Sequence, residues 1–199
     1  MARIKLIIFD VGGVIDTFDE RKYVKYISKK LGLNASRFQA FLLPMLDRLE
    51  VGRMTLKEML HRMSKEFKVP ERSLEWDAAF PVLNSVNKDV VALMRRLSSR
   101  YTIAILTNVS RSRHQMKMHE YLGKVRCKRI FASCYLGIAK PDPRIYRLVL
   151  KRMGFSPKEA LFIDNMERNT NGARAVGIDA IRFVGYKALM SQLSKRGIK

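Results

Sequence analysis

Residues 5–13 read KLIIFDVGG, a nearly continuous apolar run over residues 5–9 that ends at Asp10 and then Gly12 and Gly13. A short apolar run without alternation is the pattern of a strand buried on both faces, and the glycine pair predicts a tight loop behind the aspartate. Similar runs follow at residues 102–106 (TIAIL), 160–163 (ALFI) and 179–184 (DAIRFV), with a weaker one at 129–132. Helical patterns lie between them. Asp142 and Pro143 suit the cap and first position of a helix over 143–153, which Gly154 stops; a pattern over 169–176 ends at Gly177 in the same way, and one over 88–99 is entered through Asn87. Strands alternating with helices predict an α/β fold, a doubly wound, Rossmann-like parallel sheet covered on both faces.

Residues 19–86 break the alternation. They hold no convincing strand, and helical patterns run over 20–31, 36–49, 55–67 and 73–83. The third opens with Thr55 and Glu58, a capping box in which each side chain satisfies an orphan backbone donor of the other. Four helices inserted directly after the first strand predict a cap over the sheet's carboxyl edge, where ligands bind in open α/β sheets. The expected division is therefore an α/β core at residues 1–17 and 87–199 and a four-helix cap at 18–86. Met45, Met54, Met59 and Met63 are expected in the cap core, with Trp76 as its anchor.

The chain has 199 residues, 39 Lys and Arg against 18 Asp and Glu, and a net charge of +21. Its 47% hydrophobic content excludes a disordered polybasic chain. No apolar run approaches the roughly 18 residues of a membrane span. Cys127 and Cys134, the only cysteines, make neither a four-ligand zinc set nor a disulfide framework, so a reducing cytoplasm is expected. The densest basic segment, residues 111–129, carries Arg111, Arg113, Lys117, Lys124, Arg126, Lys128 and Arg129 against Glu120 alone. A solvated helix face and loop is the expected fate of such a run, with non-specific adhesion to nucleic acid at low salt. Tyr121 is the only aromatic between Tyr101 and Phe131, so no stacking platform for single strands is present.

Polar residues recur where the apolar runs end. Asp10 closes the first, Thr107 and Asn108 follow the second, and Asp164 and Asn165 follow the run at 160–163, while Lys140 sits in the loop Gly137-Ile138-Ala139-Lys140-Pro141 before a helix. Two aspartates brought together at one edge repel, and one pKa rises unless a cation lies between them. Oxygen ligands without His or Cys favour a hard divalent ion, Mg²⁺. Asn169 is expected to order its loop or cap the following helix. His61, His114 and His119 lack partners at ligand spacing and are expected on the surface or in cap packing.

The motifs FDVGGVID around Asp10, ILTN around Thr107, KPDPRIY from Lys140 and FIDNMERNTNGARAVG from Phe162 occur in order. In these the chain resembles the haloacid dehalogenase superfamily over nearly its whole length, and Leu49-Glu50-Val51-Gly52 before the Thr55 helix is similar to the cap of its sugar-phosphate phosphatase branch. The resemblance implies a Mg²⁺-dependent phosphatase of small phosphorylated metabolites. Asp10 would be the nucleophile that forms an aspartyl-phosphate. Thr107 and Lys140 would bind and neutralise the phosphoryl group, with Gly12, Gly13 and Asn108 also at the phosphate. Asp10, the Gly12 carbonyl and Asp164 would hold the metal, with Asn165 beside them.

Two positions depart from the family pattern. Gly12 stands where many relatives carry a second aspartate that protonates the leaving alcohol, help worth roughly 100- to 10,000-fold. Asp16 or a cap residue is the candidate substitute. Asn165 stands where aspartate is frequent, which removes a charge from the metal site. The alternatives are a 2-haloacid dehalogenase-type hydrolase, which needs no metal, and a catalytically weakened scaffold that binds RNA or another polyanion.

Overall fold

The structure is a computed structural model that describes residues 3–18, 20–120 and 126–199. Among these, five strands form one parallel sheet: β1 (Leu6–Phe9), β2 (Thr102–Thr107), β3 (Arg129–Ala132), β4 (Ala160–Asp164) and β5 (Asp179–Arg182), in the order β3-β2-β1-β4-β5. β1 is central, with Phe9 opposite Ile105 of β2 and Ile163 of β4. This α/β architecture is the one the apolar runs predict.

Alternation along the strands feeds two cores. Ile7 and Phe9, with Ile103 and Ile105, face one layer, closed by Val90, Leu93 and Leu97 of α5 (Lys88–Leu97) and by Leu189 and Leu193 of α10 (Tyr186–Ser194). Leu6 and Ile8 face the other, closed by Ile145, Val149 and Met153 of α8 (Pro143–Met153) and Ala173 of α9 (Glu167–Ala175). Since the side-chain period of a strand is two, a strand buried on both faces reads as an unbroken apolar run. Asp142 caps α8 by accepting the Arg144 N–H, and Gly154 ends it in the left-handed conformation.

Between β1 and α5 lie α1 (Glu20–Leu31), α2 (Ala35–Glu50), α3 (Leu56–Phe67), a 3₁₀ turn (Glu71–Leu74) and α4 (Ala79–Leu83). They enclose an apolar cluster of their own, in which Tyr23, Phe38, Leu42, Met45, Met54, Met59, Met63 and Trp76 are buried. The capping box of Thr55 and Glu58 is present at the start of α3. The single helix expected over residues 73–83 is instead the 3₁₀ turn and α4. Glu75 parts them at φ 47°, and its carboxylate takes the Tyr26 hydroxyl and the Lys30 ammonium from α1. These tertiary partners outweigh the local helical pattern.

Helices α6 (Arg111–Glu120), α7 (Ser133–Leu136) and α10 have no counterpart in the periodicity reading. Tyr121 and Lys124 lie outside the described residues. No helix among the described residues is long and apolar enough to cross a membrane.

Candidate active site

Because β1 pairs in register with both neighbours, three strand ends meet at one edge of the sheet. Asp10 follows β1 and donates its N–H to Ile163 O at 2.9 Å, Asp164 closes β4, and Thr107 closes β2. Lys140 reaches in from the loop before α8. Its Nζ lies 2.7 Å from Asp10 Oδ1, 2.7 Å from Asp164 Oδ2 and 3.1 Å from Leu106 O, so each of its three protons has an acceptor. Asn108 fixes the base of this arm: its Oδ1 accepts the Lys140 N–H and its Nδ2 donates to Lys140 O, both at 2.9 Å. The side-chain amide of Asn108 is thus engaged at both ends by Lys140.

Asp164 is held from the other side. Asn169 Nδ2 donates to its two oxygens at 3.1 and 3.0 Å, and the Met166 N–H donates to Oδ1 at 2.8 Å. The Tyr146 hydroxyl donates to Asn169 O at 2.7 Å and so anchors Asn169 itself. The Thr107 hydroxyl is buried, and its one hydrogen-bond contact among the described residues is the Asn108 carbonyl at a long 3.4 Å, which leaves it available to a ligand.

The electrostatics follow from burial. Asp10 is 6% exposed, and burial first, then the Asp164 charge, push its pKa up to about 7 against the pull of Lys140. Burial opposes the Lys140 ammonium too, but the charges and hydrogen bonds of Asp10 and Asp164 hold its pKa above the ordinary lysine value.

One ammonium against two carboxylates leaves this edge electronegative. Asn165 adds a further oxygen: its amide lies against Gly13, and its buried Oδ1 has no hydrogen-bond partner among the described residues. Gly13 has φ 75°, and a Cβ there would fall 2.2 Å from Asn165 Nδ2, so glycine is required for both conformation and space. Among the described residues no cluster of three or more His, Cys, Asp or Glu side chains could hold a metal ion. The Asp10 and Asp164 carboxylates and the orphaned Asn165 amide oxygen are the hard oxygen donors that a cation keeping much of its own water takes. Gly12 has open space in front of it, since a Cβ would meet only Phe18 O, at 3.9 Å.

A narrow cleft opens beside this edge, with Phe18, Glu20, Leu49, Glu50 and Trp76 on one side and Asn108, Val109 and Arg113 on the other. The basic segment enters here, contrary to the solvated face expected for it. The Arg113 guanidinium lies 4.3 to 4.5 Å from the rings of Phe18, Trp76 and Phe80 and donates to Trp76 O at 2.6 Å, and burial brings its pKa down to about 10. Lys117 Nζ lies 2.7 Å from Asp16 Oδ2, with both side chains buried. Asp16, one candidate for the missing acid, is therefore committed to Lys117 and to the Phe18 N–H.

A family model of haloacid dehalogenase-like hydrolases matches residues 4–177. The chain belongs to that family. This haloacid dehalogenase-like hydrolase is 26% identical over 196 residues to the sesquiterpene phosphatase astK of Aspergillus oryzae, which covers 95% of the chain and 94% of that protein. It is 24% identical over 196 residues to the D-ribitol-5-phosphate phosphatase of Bacteroides thetaiotaomicron, covering 90% of the chain and 91% of that protein. A 53-residue stretch is 43% identical to acyl-CoA dehydrogenase family member 10 of Mus musculus and covers 5% of its length. Among solved structures, a HAD family enzyme of Bacteroides thetaiotaomicron superposes with a TM-score of 0.81 at 21% identity, over 95% of the chain and 99% of the other. That enzyme has also been solved in complex with magnesium and inorganic phosphate.

The structure of the hydrolase brings Asp10, Thr107, Asn108, Lys140 and Asp164 to one edge, with Gly12, Gly13 and Asn165 on the adjoining loops. Asn169, expected to order its loop or cap the following helix, does so by gripping Asp164, five residues before it. Ser133, Tyr146 and Arg113 carry no signal in the sequence, because their partners lie far away in the chain. His61 pairs with Glu71 at 3.0 Å, a carboxylate partner that its spacing did not reveal, and His114 packs T-shaped against Tyr135 beside β3.

Proposed function

We propose that this hydrolase is a Mg²⁺-dependent phosphatase of small phosphomonoesters, sugar phosphates among them, that works through an aspartyl-phosphate on Asp10. The observation that carries this is the Lys140 ammonium between Asp10 and Asp164, beside the uncommitted Thr107 hydroxyl. Phosphoryl transfer requires positioning and neutralisation of the phosphoryl oxygens rather than elaborate covalent chemistry, and these groups supply both. The phosphatase relatives and the neighbour solved with magnesium and phosphate support the same reading.

Lys140 orients the Asp10 carboxylate through Oδ1 for attack on phosphorus and neutralises charge on the phosphoryl oxygens. Thr107 donates its hydroxyl proton to one of those oxygens, and the main-chain N–H groups of Gly12, Gly13 and Asn108 would add further donors. Asp10, the Gly12 carbonyl and Asp164 would hold Mg²⁺, which when bound supplies positive charge to the phosphoryl oxygens. Asn169 and Met166 keep Asp164 oriented. Water then cleaves the aspartyl-phosphate, so that hydrolysis is divided into two displacements. In this scheme residues 1–17 and 87–199 form the core and 18–86 the cap that covers the substrate, in a cytoplasmic enzyme.

A haloacid fits the site less well, because the Asp164 carboxylate repels an anion that brings no cation. A polyanion-binding scaffold is disfavoured by the burial of Arg113 and Lys117, two cations of the densest basic segment. The test is hydrolysis of p-nitrophenyl phosphate and a sugar phosphate by wild type and Asp10→Asn, with Mg²⁺ or chelator. Turnover is expected for wild type with Mg²⁺ alone. Activity that survives chelation or Asp10→Asn overturns the mechanism.

A further inference from the structure

With glycine at position 12 and Asp16 held by Lys117, the proposed reaction lacks an acid for the leaving oxygen on the core side of the site. Building on the phosphatase reading, we propose that Glu50, from the cap, protonates the leaving alcohol and then serves as the base that activates water.

Placement comes first. Glu50 is the last residue of α2 and lines the same cleft as Asn108, the residue that clamps Lys140. Its carbonyl is tied to the core: Ser133 Oγ donates to Glu50 O at 2.6 Å while accepting the Val109 N–H at 3.0 Å. Two residues on, Gly52 holds φ 71°, and a Cβ there would lie 2.8 Å from Cys134 O. The turn after α2 is thus seated on the start of α7, with Glu50 held in the cleft that Asn108 also lines. Among the described residues no hydrogen bond or ion pair engages its carboxyl group. A rim glutamate present only for solubility would be exposed and hydrated, whereas Glu50 is largely covered.

The charges facing Glu50 favour its acid form. Burial, Glu20 of α1 and Asp47 of its own helix push its pKa up to about 8; Lys140 opposes this and Asp10 adds to it. Arg113 and Lys117 of α6 face the same cleft but are paired with Asp77 and Asp16. Glu50 therefore carries a proton at neutral pH, and a general acid with a pKa near the working pH is the effective kind.

The proton count closes. As Asp10 bonds to phosphorus and the ester P–O bond breaks, the Glu50 proton passes to the alkoxide oxygen, giving alcohol, aspartyl-phosphate and the Glu50 carboxylate. Water then attacks phosphorus and gives a proton to Glu50. The bond to Asp10 breaks, which restores both carboxyl groups and releases inorganic phosphate.

The experiment compares first-turnover alcohol release from p-nitrophenyl phosphate and glycerol phosphate by wild type, Glu50→Gln, Glu50→Asp and Glu50→Gln with Gly12→Asp, all with Mg²⁺. Glu50→Gln is expected to lose at least ~100-fold on the alkyl ester and under ~10-fold on the aryl ester, whose leaving group needs no proton. Glu50→Asp, which keeps the acid, is expected to retain part of the alkyl rate. Gly12→Asp, with open space at its Cβ, is expected to return at least ~10-fold of the alkyl rate to Glu50→Gln. Equal losses on both esters, or no loss, overturn the role of Glu50 while leaving the phosphatase intact. If wild type hydrolyses neither ester, the phosphatase reading itself has failed and this role falls with it.

Discussion

The Lys140 ammonium stands 2.7 Å from Asp10 Oδ1 in the interior, and it is also the counter-ion of Asp164. The proposed nucleophile thus shares its cation, and burial together with Asp164 pushes its pKa up to about 7. Catalytic readiness and stability are coupled at this point, and the first prediction follows from the coupling.

Lys140→Met leaves two buried carboxylates without their cation. Breaking a buried pair in this way costs about 3–5 kcal/mol. The folded-state pKa of Asp10 lies above its unfolded value of 3.8, so the folded protein binds the extra proton and stability falls as pH rises from about 4 through 7. Without Lys140 that penalty deepens. Urea denaturation is expected to show a larger loss for the variant at pH 8 than at pH 5; equal losses would show that the deficit is packing rather than charge.

Mg²⁺ binding to the folded state is expected to raise the melting temperature of wild type. At a free concentration one hundred times the Kd the gain is about 2.7 kcal/mol. Asp164→Asn should abolish the shift. Asn165→Asp should enlarge it at a fixed subsaturating Mg²⁺ concentration, since it adds a charge beside the two aspartates. Differential scanning fluorimetry across a Mg²⁺ series reads both, and an unchanged shift in Asp164→Asn would remove that residue from the metal site.

Gly13→Ala places a methyl group 2.2 Å from Asn165 Nδ2 at φ 75°. Overpacking and backbone strain together are expected to cost about 2 kcal/mol. In an Asn165→Ala background the steric part disappears and the conformational part remains. Thermal melts of the two single variants and the double variant should therefore show a smaller penalty for Gly13→Ala in the second background.

Glu50 also has a folded-state pKa above its ordinary value, about 8 against 4.5. Its contribution to stability therefore declines as pH rises through that interval and is at its worst above 8. Glu50→Gln removes the titration, so the variant should match wild type near pH 5 and exceed it at pH 8.5. A gain of about 2 kcal/mol is expected, well below the full shift, because the residue keeps some contact with cleft water. A pH-independent difference between the two proteins would place the carboxyl group in an ordinary solvated setting.

The strand ends were legible because a strand buried on both faces must be apolar throughout, so the first polar residue after it marks the sheet edge. Asp10, Thr107 and Asp164 were found on that ground. Asn169 is less legible: a helix's first turn lies beside the preceding strand end, but which of its side chains turns back to Asp164 depends on packing against Tyr146. The cations of α6 escape local pattern for a related reason. Charge density describes composition, whereas the burial of Arg113 depends on three aromatic rings contributed by distant residues.

By itself the sequence determined the parallel sheet, the place of the helical insertion and the residue types gathered at the carboxyl edge. These follow from local periodicity and from chain connections that must return to the sheet. Only the tertiary structure decided that Lys140 serves two aspartates, that Asn108 spends its amide on Lys140, and that Ser133 ties the Glu50 carbonyl at the end of α2 to the start of α7. Each of these joins residues tens of positions apart, and no pattern along the chain encodes the docking of one layer on another.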